Sequence, residues 1–227
     1  MNKLLVHENR ARKDGYRFII GIDEAGRGPL AGPVVAAAVF LFNHDFSCVV
    51  HDSKQMTAVQ RECAFIEICN KAVIGVGVMN EAVIDEHNIL QATFFAMNAA
   101  VRRLMSRAAV RGQEIARAPE KICMLIDGNR FQSEVPYAFR TIVDGDALSL
   151  TIACASIIAK VTRDRILDKY HQVFPQYGFD SHRGYATDMH REAIKRLGTV
   201  FIHRKTFGSV REYLGGDFSP TSPNDTK

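Results

Sequence analysis

Residues 16–42 read YRFIIGIDEAGRGPLAGPVVAAAVFLF, two apolar runs separated by a turn rich in glycine that begins with two adjacent acids. Phe18, Ile20 and Ile22 recur with the period of a strand, and that strand is expected to end near Asp23. Residues 33–42 are apolar throughout, bounded by Gly32 and Asn43, which suits a strand buried on both faces. Unpaired acids at the rim of a core cost stability, so Asp23 and Glu24 require cations, either from the chain or as a bound metal. Neighbours on a regular strand point to opposite faces, so the two acids reach one centre only where the strand is ending. Gly26 and Gly28 make such an ending plausible.

Outward from this stretch, residues 57–70 read as a helix capped by Thr57, and residues 72–79 (AVIGVGVM) as a strand. The two glycines of that strand mark where another backbone approaches closely. Ile89, Leu90, Thr93, Phe94, Met97, Val101, Leu104 and Met105 recur at helical spacing within a helix of about 81–107. Short apolar runs at 121–128 and 137–143 are further strands, 147–172 is a helix, and a last helix runs from Thr187 to its terminator Gly198. The order β-β-α-β-α-β-β-α predicts an α/β sheet that starts antiparallel and continues through crossovers. The segment 215–227 is poor in apolar residues and is expected to be disordered.

The chain of 227 residues suits one domain with a small appendage, and 47% hydrophobic residues supply a core. Its net charge of +4 is unevenly spread. Between His182 and Arg211, seven Lys/Arg stand against two acids, a balance of +5, with three histidines besides. Such a block is either a footprint for a polyanion or a solvated helix face. Five cysteines, odd in number and without CxxC spacing, argue against a disulfide framework and against a zinc site. The N-terminus shows no signal peptide, and the longest apolar stretch, Val34–Phe42, is far short of a membrane span, so a cytoplasmic protein is expected.

Three acids share a context: Asp23, Asp127 in LIDGNR and Asp146 in VDGDALS each sit where an apolar run meets a turn or a helix start. Carboxylates gathered at one rim repel one another unless a divalent cation neutralises them, and an all-oxygen donor set favours Mg²⁺ or Mn²⁺ over zinc. The competing explanation is local: Asp-Gly is a common turn and Asp146 suits a helix cap. Spacing alone leaves Asp144 and Asp146 as equal candidates. Gly26 and Gly28 either make a tight turn only, or expose backbone amides to a phosphate or hydroxyl with Arg27 as a charged donor. Together these features describe a metal-dependent nuclease or phosphotransferase.

GIDEAGRGPLAGPVVAAAV, DSK (52–54), DEHNILQATFFAM (85–97), LIDGNR (125–130), ASIIAKVTRD (155–164), FPQYGF with HRGYAT (174–187) and HRKTFGSV (203–210) resemble ribonuclease HII, in order from about residue 17 to 214. The resemblance implies an α/β fold: a ribonuclease H-like mixed sheet flanked by helices (1–186, with 1–16 flexible) and a helical C-terminal extension (187–214). It implies cleavage of the RNA strand of RNA/DNA hybrids and incision 5′ to single ribonucleotides in duplex DNA, with 3′-hydroxyl and 5′-phosphate products. The four metal-binding acids fall on Asp23, Glu24, Asp127 and Asp146, holding two Mg²⁺ or Mn²⁺ ions. The turn that grips the ribose 2′-OH falls on Gly26, Arg27 and Gly28, and the tyrosine that stacks at the RNA–DNA junction on Tyr185. Lys54, Lys160 and Arg163 match positions that contact the nucleic-acid backbone or brace the site. Residues 153–156 depart from the family, reading Ala-Cys-Ala-Ser where relatives often begin with serine. A monomer is expected. The H-x-G-Y setting of Tyr185, and a first catalytic strand near residue 17, set ribonuclease HII apart from ribonuclease HIII. Two rivals remain: a non-catalytic nucleic-acid-binding module, which the four acids oppose, and a phosphate loop, which lacks a Lys-Ser/Thr pair.

Overall fold

The computed structural model of the protein describes residues 3–214. Its centre is a five-stranded sheet in the order β3-β2-β1-β4-β5. The strands are β1 (Phe18–Ala25), β2 (Val34–Leu41), β3 (Ala72–Met79), β4 (Ile122–Asp127) and β5 (Ala138–Ile142). β1 pairs antiparallel with β2, and β2 with β3, whereas β1–β4 and β4–β5 are parallel. The mixed sheet expected from the element order is therefore observed.

Helices cover both faces. α3 (Glu81–Val110) lies over β2 and β3, and α5 (Leu150–Val173) lies over β1 and β2 with α2 (Ala58–Lys71) beside it. Gly75 and Gly77 let α3 approach, since a Cβ on either would stand 1.9 Å from the Ala100 or Ala96 carbonyl oxygen. Thr57 caps α2 in a reciprocal capping box with Gln60. The apolar positions of α3 meet Ile20, Ile22, Val34 and Ala36 of the sheet in the largest core cluster. Ile19, Leu125 and Ile152 pack together on the opposite side.

Four features differ from the sequence expectation. Residues 6–13 form a helix, α1 (Val6–Lys13), within the segment expected to be flexible. Its polar sequence hides one inward contact: buried Glu8 accepts from Ser149 Oγ (2.7 Å) and from Thr151 N (3.0 Å), joining α1 to the start of α5. Second, α3 is kinked at Asn88 (φ 66°), whose side chain caps the amides of Leu90 and Gln91 and restarts the helix. Third, the helix expected at 147–172 is split at Ser149 into α4 (Gly145–Leu148) and α5. Fourth, Cys48 and Cys63 form a disulfide, with Cα atoms 6.3 Å apart, where the spacing had argued against one. The cause is tertiary: Glu67 of α2 accepts from Ser47 N (2.9 Å) and Cys48 N (2.8 Å), folding that loop onto the helix that carries Cys63.

The last helix expected from the sequence is α7 (Asp188–Leu197); α6 (Phe179–His182) precedes it and a further short helix, α8 (Gly208–Arg211), follows it. Ile194, Ile202 and Val210 share a small core with Leu30, Ala31 and Leu167, so this region packs against the loop that follows β1. The segment 215–227 lies outside the described residues. Among the described residues no helix is long and apolar enough to cross a membrane.

Candidate active site

Pleating decides where the two adjacent acids go. β1 continues through Ala25 on its β2 side, paired as Ala25↔Val35, but its pairing with β4 stops at Ile22↔Ile126. Asp23 and Glu24 thus sit where β1 parts from β4, and Asp127 is the last residue of β4. The strand does not end at Asp23. The gap opening on one side lets both acids face a shared cleft despite their alternation.

That cleft, of about 260 Å³, is lined by Asp23, Glu24, Asp127, the turn Gly26–Arg27–Gly28, Lys54, Lys160, Arg163 and Tyr185. Every candidate residue except Asp146 lines it, and Asp146 is tied in through Lys54 Nζ at 3.2 Å. Asp146 is 5% exposed, whereas Asp144 is exposed in a left-handed conformation. A second hollow of about 240 Å³ shares Glu24, Arg27 and Asp127 and continues along Leu90, Phe94, Asn129 and Arg130. Sequence reasoning missed Asn129 and Arg130, although both stand in the LIDGNR motif. It also missed Ser53 and Ser156, buried hydroxyls 2.8 Å apart that line the first cleft. Ala153, by contrast, is not among the cleft residues.

The acids are held under electrostatic tension. Asp23 is 4% exposed; burial first, then the charges of Glu24 and Asp127, push its carboxyl well above the ordinary range. Burial likewise raises Glu24 and Asp127, while Arg27 opposes the shift on Glu24 and the Gly145 amide opposes it on Asp127. Each acid has a separate partner: Glu24 N donates to Asp23 (2.7 Å), Arg27 to Glu24 (3.3 Å) and Gly145 N to Asp127 (2.7 Å). As they stand, no three His, Cys, Asp or Glu side chains among the described residues converge into a metal cage. The donor chemistry nevertheless fits a divalent cation: an all-oxygen set, crowded like charges and a surplus of burial over counter-charge.

The cations of the cleft divide into two kinds. Lys54 is largely exposed and Lys160 is paired with Asp164 at 2.8 Å. Arg163 is 1% exposed and donates to the carbonyls of Pro33, Ala31 and Arg183, each at 3.0 Å. Its guanidinium is thus turned onto backbone carbonyls. Tyr185 is 46% exposed and faces the turn: a Cβ on Gly28 would lie 3.7 Å from its ring.

A mixed sheet flanked by helices, with carboxylates gathered at the carboxyl ends of its central parallel strands, is an α/β architecture of the ribonuclease H type. The sequence pattern described as ribonuclease HII matches residues 20–210. A ribonuclease HII of Geobacter sulfurreducens is 50% identical over 210 residues, covering 92% of this chain and 90% of that protein. One from Bacillus cytotoxicus is 45% identical over 209 residues, covering 92% and 75%. The crystal structure of ribonuclease H2 from Pyrococcus horikoshii superposes with a TM-score of 0.65 at 26% identity, covering 87% of this chain and 97% of that one. The chain belongs to the ribonuclease HII family and is a nuclease.

Proposed function

We propose that the protein is an endoribonuclease that cuts the RNA strand of RNA/DNA hybrids and incises 5′ to single ribonucleotides in duplex DNA, leaving 3′-hydroxyl and 5′-phosphate ends. The carrying observation is that Asp23, Glu24 and Asp127 share one cleft with the turn at 26–28 and with Tyr185. Chemistry on a phosphodiester and readout of a neighbouring hydroxyl are then exerted on the same nucleotide.

In this reading Asp23, Glu24, Asp127 and Asp146 would hold two divalent cations. Mg²⁺ or Mn²⁺ bound there supplies an activated water and neutralises charge on the leaving oxygen. The chain's own residues do the rest. The missing side chain at Gly28 keeps the turn clear beside Tyr185, whose ring a Cβ there would already touch at 3.7 Å, so turn and ring can meet the same nucleotide. The turn supplies hydrogen-bond partners for the 2′-OH, and a deoxyribose leaves those groups unpaired, a situation that discriminates by about 10⁴–10⁵ in built hydroxyl sites. Tyr185 offers its exposed ring to the sugar that follows. Lys54 and Lys160, with the exposed cations of 182–211, neutralise backbone phosphates, so binding weakens as salt rises. We place a monomeric enzyme of this kind in the cytoplasm, on ribonucleotide-bearing duplexes.

The deciding experiment is cleavage of a labelled DNA duplex holding one ribonucleotide, beside an all-DNA duplex and an RNA/DNA hybrid, with Mg²⁺, with Mn²⁺ and with chelator. A single metal-dependent nick 5′ to the ribonucleotide, absent from the all-DNA control, is the expected result. Salt-sensitive binding without any nick in either metal would overturn the proposal in favour of a binding module.

A further inference from the structure

A guanidinium buried completely is unusual, because arginine gives up strong hydration and is almost never buried without a partner. Arg204 is 0% exposed, and all its side-chain hydrogen bonds go to backbone carbonyls. Nε and Nη2 donate to Gly32 O (2.9 and 2.7 Å), Nη1 donates to Arg27 O (2.9 Å), and Nη2 also donates to Gly26 O (2.6 Å). No carboxylate among the described residues forms an ion pair with it or with Arg163; Glu81 and Asp85 act on Arg204, and Asp164 and Glu81 on Arg163, only through their longer-range charge. Burial, then the charge of Arg163, pulls the Arg204 guanidinium down to about 9.

The choice of carbonyls carries the meaning. In a trans peptide the C=O of one residue and the N–H of the next point in opposite directions. Drawing the Gly26 and Arg27 carbonyls inward onto Arg204 therefore turns the amides of Arg27 and Gly28 outward, toward the cleft. Gly26 adopts φ +96°, and a Cβ there would lie 2.1 Å from Arg163 Nε, so a second guanidinium forms the floor beneath the same turn. Arg204 is itself anchored by backbone pairing: its N–H donates to Leu30 O (2.8 Å), Gly32 N donates to Ile202 O (2.9 Å), and Ala31 bridges His203. Phe207 packs 5.1 Å from the guanidinium carbon.

We propose that Arg204 is a positioning residue for substrate specificity: from inside the protein it fixes the peptide planes of the 26–28 turn so that two outward amides meet the ribonucleotide. The proposal rests on the turn being the 2′-OH and phosphate reader of the proposed function. It places the specificity of the site in a side chain that substrate never touches, in the C-terminal region and 177 residues from the turn at Arg27. A residue that merely ties loops together would affect every substrate alike, as well as folding. A residue that orients the turn affects the ribonucleotide selectively.

The test uses the full chain with Arg204→Met, which keeps length and loses the fork, and Arg204→Lys, which keeps the charge but cannot reach three carbonyls at once. Folding is checked by circular dichroism and melting. In a folded Arg204→Met, kcat/KM for incision at a single ribonucleotide is expected to fall about a hundredfold, the cost of a misplacement near 1 Å. Affinity for the all-DNA duplex, set by phosphate contacts elsewhere, stays within about threefold. Arg204→Lys recovers part of the loss, and hydrogen exchange over residues 24–33 quickens in Arg204→Met. A folded variant with parental kcat/KM, or one that loses all-DNA binding in equal proportion, overturns the proposal. Should neither variant fold, Phe207→Leu loosens the seat of Arg204, and parental discrimination in that variant overturns it equally. Should the parent itself leave the ribonucleotide intact, the proposed function fails first; unchanged exchange over 24–33 in Arg204→Met then overturns the role of Arg204 separately.

Discussion

Two clusters of buried titratable side chains flank the turn at 26–28, and burial pushes both toward their neutral forms, yet they are built oppositely. His182, His190 and His203 lie within one hydrogen-bonded group. The His182 and His190 rings stack at 4.3 Å, and His190 Nε2 lies 3.1 Å from His203 Nε2. Because the Tyr185 carbonyl beside His190 Nδ1 can only accept, a neutral His190 accepts at Nε2 from His203 Nε2–H, and the Val200 amide then donates to His203 Nδ1 at 2.9 Å. His190 Nδ1–H then donates to the Tyr185 carbonyl at 2.9 Å. Every proton has an acceptor, and burial holds His190 and His203 down at about 4. The carboxylates of Asp23, Glu24 and Asp127 are raised by burial and partly by one another, and have no such closed network. A cluster satisfied from within is architecture; a cluster that repels itself is prepared for something from outside.

The largest test of that contrast removes one acid. Asp127→Asn keeps the oxygen that accepts the Gly145 amide and deletes the charge. Cleavage is expected to fall at least about a thousandfold, the upper scale for losing one stabiliser of transition-state charge. Duplex binding stays near parental, and the melting temperature in chelator holds or rises, since a like charge has gone. Substantial turnover by this variant in Mg²⁺ or Mn²⁺ would remove Asp127 from the metal site and break the comparison at its acidic end.

Next in size is Tyr185→Ala. The ring is exposed, so the melting point should hardly move, while kcat/KM at a single ribonucleotide falls about 10–100-fold, as for a lost stacking contact of about 1–3 kcal/mol. A loss no larger than that on a continuous RNA/DNA hybrid would show that the ring does not sense the junction.

Much of this division was visible before folding was considered, and the parts that were not share a cause. β1 and β2 declare themselves through apolar runs on either side of a glycine turn, and the acids through their places at the ends of such runs. Local pattern suffices there, because pleating and turn geometry are local properties. Arg204 looked like one more charge in the basic block at 182–211, and only tertiary burial reveals that it faces inward. The histidines read as extra charge in the same block, although two of them are neutral members of a buried network. Glu8, the partner of Ser149 and Thr151, stands 141 residues from the first of them, and no window on the sequence joins them. Arg204, the histidines and Glu8 escaped sequence reading because each is polar, buried and partnered beyond its own local window.

A third test addresses the histidine end. His190→Leu removes the acceptor of His203 Nε2–H and the donor to the Tyr185 carbonyl, and is expected to cost about 1–3 kcal/mol of stability by urea denaturation. Cleavage of a continuous RNA/DNA hybrid should change far less than it does in Asp127→Asn. A variant as stable as the parent would show that the network contributes nothing to architecture.

The smallest effect is the most specific, because the two clusters respond to acid with opposite signs. His190 and His203 have folded values of about 4 against an ordinary 6.5, so the unfolded chain takes up their protons first and stability falls as pH drops through that window. Asp23, Glu24 and Asp127 have raised folded values, so the folded chain takes up their protons first, and acidification through those values returns stability. In chelator the two trends offset each other in the parent. His190→Leu should therefore flatten the acid loss between pH 6.5 and 4, and Asp23→Asn, which removes the opposing trend, should steepen the acid loss. Parallel pH profiles for all three proteins would mean that the opposed environments do not govern stability, and the contrast between the clusters would then be geometric only.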